Sequence, residues 1–138
     1  LKDHQDQAVS LSGFRGRTVI LYFYPKDDTP GCTKEACSLR DHHPTITGKN
    51  AVVLGVSADP ADRHQKFRTK YDLPFTLLSD PDHAVSKLYG AWGTKNMYGK
   101  ISEGQLRQTF IIDPEGRVMK IFKKVSTETH GQDVLTYI

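Results

Sequence analysis

The run Thr18-Val-Ile-Leu-Tyr-Phe-Tyr24 is β-branched and aromatic, and no polar residue interrupts it after Thr18. That pattern predicts a strand covered on both faces, as at the centre of a sheet. Ala51-Val-Val-Leu-Gly-Val-Ser57 repeats it. Helix formers from about Cys32 to His42 lie between the two, so the order is that of a right-handed βαβ unit. Asp59-Pro60 and Asp80-Pro81 each set a side-chain acceptor before a proline, which predicts an N-cap followed by proline at the first helical position. The first pair would open a helix to about Tyr71, with His64, Phe67 and Tyr71 on one face. The second would open a shorter helix in which Ala84, Val85 and Leu88 cluster, with Gly90 suited to its C′ position. Phe75-Thr-Leu-Leu78 forms a short strand between these helices.

Thr109-Phe-Ile-Ile112 and Val118-Met-Lys-Ile-Phe122 flank Asp113-Pro-Glu-Gly116. Proline second and glycine fourth favour a type I turn, hence a β-hairpin. A last helix starts at about Gly131. Gly93 to Gln105 is polar and dotted with glycine, and is read as an irregular stretch that could border a site. The order β-α-β-α-β-α-β-β-α describes an α/β protein: a mixed central β-sheet flanked by helices on both faces, as in the thioredoxin-like fold. Architecture of this kind does not settle function.

Composition narrows the field. At 138 residues the chain fits one domain, read as spanning 1–138. With 37% hydrophobic and 25% charged residues it has a globular composition, not a disordered one. The net charge is +3 and the densest basic pair is Lys123-Lys124, so there is no nucleic-acid footprint. No apolar run approaches the ~20 residues that span a bilayer. A cytoplasmic setting is expected, although the chain begins at Leu1 rather than Met, which leaves a cleaved targeting segment open. The two cysteines are too few for a disulfide-built scaffold. They close too short a loop to constrain the unfolded chain, so redox chemistry or metal binding explains them better.

Chemistry concentrates in Tyr24-Pro-Lys-Asp-Asp-Thr-Pro-Gly-Cys-Thr-Lys-Glu-Ala-Cys37. The segment leaves the C-terminal end of the first buried strand, the edge where α/β sheets place their sites. With Thr29 as N-cap and Pro30 as N1, Cys32 is N3, where unpaired N–H groups and the helix dipole favour an anion. The thiolate is the reactive form. A thiol of pKa ~8.5 is roughly 3% ionised at pH 7, and lowering the pKa to ~6 makes it about 90% thiolate. The Thr29 hydroxyl can donate to that thiolate or to a bound oxygen. Cys37 stands at i+5, about 8.7 Å and ~140° away on an intact helix. A disulfide tolerates about 7 Å between Cα atoms. Either the two never pair, or the first turns of the helix unwind during turnover.

Pro25-x-x-x-Thr29-x-x-Cys32 resembles the peroxiredoxin active-site motif, and the longer segment resembles the bacterioferritin comigratory protein (peroxiredoxin Q) branch. Similarity continues, in order, through Phe75–Asp80, Trp92-Gly93, Met97–Lys100 and Arg107–Asp113. The resemblance implies a thiol peroxidase acting on hydrogen peroxide and organic hydroperoxides. It implies Cys32 as the peroxidatic cysteine, Cys37 as the resolving cysteine, Thr29 as the hydroxyl that orients the peroxide and Pro25 as a shield. Arg107 would support the thiolate and the departing oxygen, and Glu35 fits a role in holding Arg107. The resemblance also implies thioredoxin as reductant, a monomer, and no metal, haem or flavin cofactor. The Ala-Pro-x-Phe strand that opens the family is absent before Leu1 and the last helix is short, which is read as truncation at both ends.

Two rival readings are weaker. Cys32, Cys37, His42 and His43 are four candidate metal ligands, but their spacing is not that of structural zinc sites. Adjacent helical histidines also diverge by ~100°. A dithiol oxidoreductase or chaperone-like module would use Cys-x-x-Cys. His4, His64, His83 and His130 are scattered and carry no assigned role.

Overall fold

The computed structural model describes residues 1–97 and 99–138; Tyr98, inside the Met97–Lys100 match, lies outside the described residues. The elements are β1 (Lys2–Asp3), a 3-10 turn (Leu11–Phe14), β2 (Thr18–Phe23), α1 (Pro30–Asp41), α2 (His43–Gly48), β3 (Ala51–Ser57), α3 (Ala61–Tyr71), β4 (Thr76–Ser79), α4 (Ala84–Leu88), β5 (Trp92–Met97), β6 (Lys100–Gln105), β7 (Gln108–Ile112), β8 (Val118–Phe122) and α5 (His130–Leu135). A six-stranded sheet runs in the order β1-β4-β3-β2-β7-β8. β2 is central, parallel to β3 and antiparallel to β7, so the sheet is mixed as expected.

Burial on both faces explains why β2 carries no polar alternation. Ile20 and Tyr22 point into one core with Leu39, Phe67 and Val134, from α1, α3 and α5. Val19, Leu21 and Phe23 point into the other, with Leu54 and Phe110, against Val85 of α4 and the Leu11–Phe14 turn. The β7–β8 hairpin turns as predicted, with the Gly116 N–H donating to the Asp113 carbonyl at 2.9 Å.

Both later cap expectations need correction. α3 begins at Ala61 with Pro60 as N-cap, because Asp59 is occupied elsewhere: its carboxylate accepts the Ser57 hydroxyl and the Asp27 N–H. α4 begins only at Ala84, after His83 in a left-handed conformation. Asp80 still serves that helix from a distance, accepting the N–H groups of Val85 and Ser86 and the Ser86 hydroxyl. Ser86 is thereby drawn inward, and Leu88 is left 83% exposed rather than clustered with Val85. Gly90 does sit after this helix with φ +74. A second short helix, α2, follows α1 where none was expected, with Pro44 in its first turn. Gly93–Gln105 is not irregular: most of it forms a separate antiparallel pair, β5–β6.

α5 packs directly on α1. The Gly131 N–H donates to the Ser38 hydroxyl at 2.9 Å, and a Cβ at Gly131 would lie 2.3 Å from the Ser38 carbonyl oxygen. No other residue type allows so close an approach.

Candidate active site

α1 starts where the sequence predicts. Thr29 is the N-cap with extended backbone (φ −94, ψ 157) and Pro30 follows at N1, with the Thr33 N–H bonded to the Thr29 carbonyl at 2.8 Å. The first-turn N–H groups of Gly31 and Cys32 have no partner inside the helix, which makes this end an anion cradle. Cys32 is 1% exposed and belongs to the core cluster under β2.

Arg107, between β6 and β7, comes back across this helix start. Its Nη2 donates toward the Cys32 sulfur at 3.3 Å and its Nη1 donates to Glu35 Oε1 at 2.7 Å. Gly31 leaves the room: a Cβ there would lie 3.0 Å from Nη2. This sets a permanent guanidinium charge beside the sulfur, where an oxyanion formed next to it would be stabilised. Pro25, Thr29, Gly31, Lys95 and Arg107 line an open cavity above the site. Lys95 comes from β5, so the stretch expected to border a site does so.

Thr29 departs from expectation in one respect. Its hydroxyl donates to the Lys26 carbonyl at 2.8 Å and not to Cys32. The proton being committed, the oxygen is left as an acceptor, able to take the O–H of a bound hydroperoxide.

Glu35 is fully buried, and burial pushes its carboxyl up to about 7 although Arg107 pulls the other way. Among the described residues its Oε2 has no hydrogen-bond partner, and it lies 3.7 Å from Nε2 of His130 on α5. Burial drives His130 down to about 4, with Arg107 adding to the effect and Asp133 opposing it. A neutral imidazole at that distance is a close neighbour of Glu35 rather than an ion-pair partner. Nε2 bonds instead with the Thr109 hydroxyl at 2.8 Å. Sequence reading missed His130 because nothing local joins it to a residue far upstream on α1. Gly31 and Lys95 were missed as well; Gly31 stands inside the motif, but only the path of Arg107 gives it a purpose.

Cys37 lies in the middle of α1, half-buried, and both thiols are free. Because α1 runs unbroken past both, the helical separation of about 8.7 Å applies and they cannot bond in this conformation. The rival metal set is not assembled: among the described residues, Cys32, Cys37, His42 and His43 do not gather at ligating distance. The His42 ring nitrogen Nδ1 bonds to the Ser38 carbonyl.

Residues 1–121 match the AhpC/TSA family. A putative peroxiredoxin bcp of Coxiella burnetii is 47% identical over 98% of this chain and 89% of its own length. Peroxiredoxin Bcp of Bacillus subtilis is 44% identical over 98% and 86%. Among solved structures, the Xanthomonas campestris bacterioferritin comigratory protein, studied for alkyl peroxide reduction, superposes with a TM-score of 0.92 at 36% identity. That match covers 99% of this chain and 87% of the other.

Proposed function

The chain belongs to the AhpC/TSA family, among its Bcp (peroxiredoxin Q) peroxiredoxins, and from that premise we propose that it reduces hydrogen peroxide and organic hydroperoxides through Cys32, with Cys37 resolving the product. The single observation that carries the reading is the 3.3 Å approach of Arg107 Nη2 to a cysteine sulfur set in the first turn of a helix.

In the proposed reaction the Cys32 thiolate attacks the terminal peroxide oxygen. An S–O bond forms as the O–O bond breaks, sulfur is oxidised by two electrons, and the other oxygen leaves with a proton as water or alcohol. The Thr29 oxygen accepts the peroxide O–H, and Arg107 with the first-turn N–H groups takes up the charge on the oxygens, which keeps the reacting atoms in line. Pro25 shields the sulfur from bulk water. The Cys37 thiol then condenses with the Cys32 sulfenic acid, releasing water and forming a disulfide. That step requires α1 to open locally. An external dithiol, thioredoxin, reduces the disulfide by exchange. Both cysteines lie in one chain, so a monomer suffices, and a cytoplasmic setting that maintains reduced dithiols fits the cycle.

Mass spectrometry after one equivalent of peroxide tests this. A peptide spanning Cys32 and Cys37 that is two mass units lighter supports it. Peroxide consumed with both thiols unchanged would end it.

A further inference from the structure

The loop that delivers Pro25 and Thr29 to the site is held from behind by a buried polar cluster. Of Pro25, Lys26, Asp27 and Asp28, only Asp27 is buried, at 2% exposure. The Tyr24 hydroxyl donates to its Oδ1. Its Oδ2 lies 2.6 Å from Nδ1 of His64 on α3, and His64 Nε2 lies 3.0 Å from the Leu78 carbonyl on β4. The Asp27 N–H donates to Asp59 Oδ2 at 2.8 Å, where the Ser57 hydroxyl also donates at 2.7 Å. α3 grips the loop from outside as well: Lys70 and Tyr71 each reach the Asp28 carboxylate at 2.8 Å.

Protons can be counted in this cluster. A carbonyl only accepts, so His64 Nε2 carries a proton and donates to Leu78. A 2.6 Å contact between Nδ1 and a carboxylate oxygen needs a second proton, whichever atom holds it. The pair is then neutral overall, which is what a position closed to water tolerates. Asp27, Asp59 and His64 offer ligand atoms within 4.8 Å of one another, a spacing a metal could use. Each is instead bonded to a neighbour, so the cluster is a hydrogen-bond network complete in itself.

We infer that His64 is a positioning residue of the peroxidase: through Asp27 it fixes the loop that holds Pro25 and Thr29 over Cys32. The Thr29 hydroxyl is tied to the Lys26 carbonyl, one peptide from Asp27. A loop released at Asp27 carries the Thr29 oxygen with it. The inference rests on the reading of Cys32 and Thr29 given above.

The test is the second-order rate of Cys32 oxidation by hydrogen peroxide in single turnover. His64→Gln cannot bridge Asp27 and Leu78 together, and the misplaced Thr29 should slow oxidation by about 10²-fold. Asp27→Asn keeps an acceptor for Tyr24 and offers an N–H to His64 Nδ1, so it should hold the rate within a few-fold. Thr29→Val combined with His64→Gln should cost little more than the worse single change, since both remove the same placed hydroxyl. A purely architectural His64 would give costs that multiply. Nitrogen-15 NMR of the wild-type imidazole gives a reading free of folding effects, expected to show both ring nitrogens hydrogen-bonded. His64→Gln at the wild-type rate, multiplying costs, or an unbonded Nδ1 would each overturn the inference. A wild-type protein inert to peroxide would instead overturn the peroxidase reading beneath it.

Discussion

Arg107 is shared between Glu35 and Cys32, one guanidinium nitrogen to each: Nη1 stands 2.7 Å from the buried carboxylate and Nη2 3.3 Å from the sulfur. Glu35 therefore sets where the positive charge beside the thiol lies, and the guanidinium that meets Cys32 is anchored on the same helix as the thiol.

The cysteines divide the cycle. Cys32→Ser should abolish peroxide reduction, because no other thiol stands at the helix start. Cys37→Ser should consume one equivalent of peroxide and then stall in a thioredoxin-coupled assay. Full turnover by Cys32→Ser would remove the assignment.

Thr29→Val should lower the rate of Cys32 oxidation by about 10²- to 10³-fold, the cost of losing one aligned polar group at a reacting oxygen. Thr29→Ser keeps the hydroxyl and should recover most of that rate. Stopped-flow measurement of the two variants side by side checks the oxygen's role; equal rates would exclude it.

Gly31→Ala should separate stability from activity. Alanine suits a helix better than glycine by up to ~1 kcal/mol, so melting should be unchanged or slightly higher. Its Cβ would press on Arg107 Nη2 at 3.0 Å, and the displaced charge should slow oxidation by about tenfold. An alanine variant as fast as the wild type would show that Arg107 tolerates the shift.

Glu35 and His130 predict opposing pH dependences of stability. Glu35 is raised from 4.5 to about 7 on folding. The native state therefore holds its proton more tightly, and the stability it contributes at low pH is lost as pH rises from the unfolded value toward about 7. His130 is lowered from 6.5 to about 4. The unfolded state then binds the extra proton, so stability rises with pH across that interval. The two slopes overlap and offset each other over most of the mildly acidic range. Glu35→Gln should uncover a stability that climbs with pH, and His130→Gln one that falls, each by a few kcal/mol across the window. Denaturant melts at several pH values read both; parallel curves for the variants and the wild type would mean that neither group titrates as its burial implies.

Much of this molecule was legible because local pattern and tertiary role agreed. The apolar runs at Val19–Tyr24 and Ala51–Val56 are central strands because both faces are covered. Thr29-Pro30 starts a helix because, among the described residues, the Thr29 carbonyl is taken by the Thr33 N–H of that same helix. Legibility failed where a distant partner did. Asp59 looks like a cap, but Ser57 and the Asp27 N–H occupy it. Asp80 looks like a cap one residue before its helix, yet it serves Ser86 across a turn. β5–β6 carries glycine and charge because β6 is exposed over most of its length and no apolar pattern is required of it. The contact of His130 with Glu35 joins α5 to α1 across most of the chain, and no spacing rule reaches so far.

The seat of Gly131 on Ser38 divides α1 into two lengths held in different ways. From Ser38 onward the helix is clamped by α5, and peeling it would uncover the core beside Val134. From Pro30 to Cys37 it is held by side chains instead: Cys32 and Ala36 lie in the core, and Glu35 bonds to Arg107 and lies beside His130 of α5. Cys37 is the last residue before the fixed point, so in the proposed cycle the arm that opens would be short, with its root held. A tether of this length would keep Cys32 at high effective concentration near Cys37 in that step, because closing so short a loop costs little chain entropy. In the proposed cycle the clamp would act as a stop on the unwinding, limiting how far the oxidised helix frays and preserving an end from which it rewinds once the disulfide is reduced.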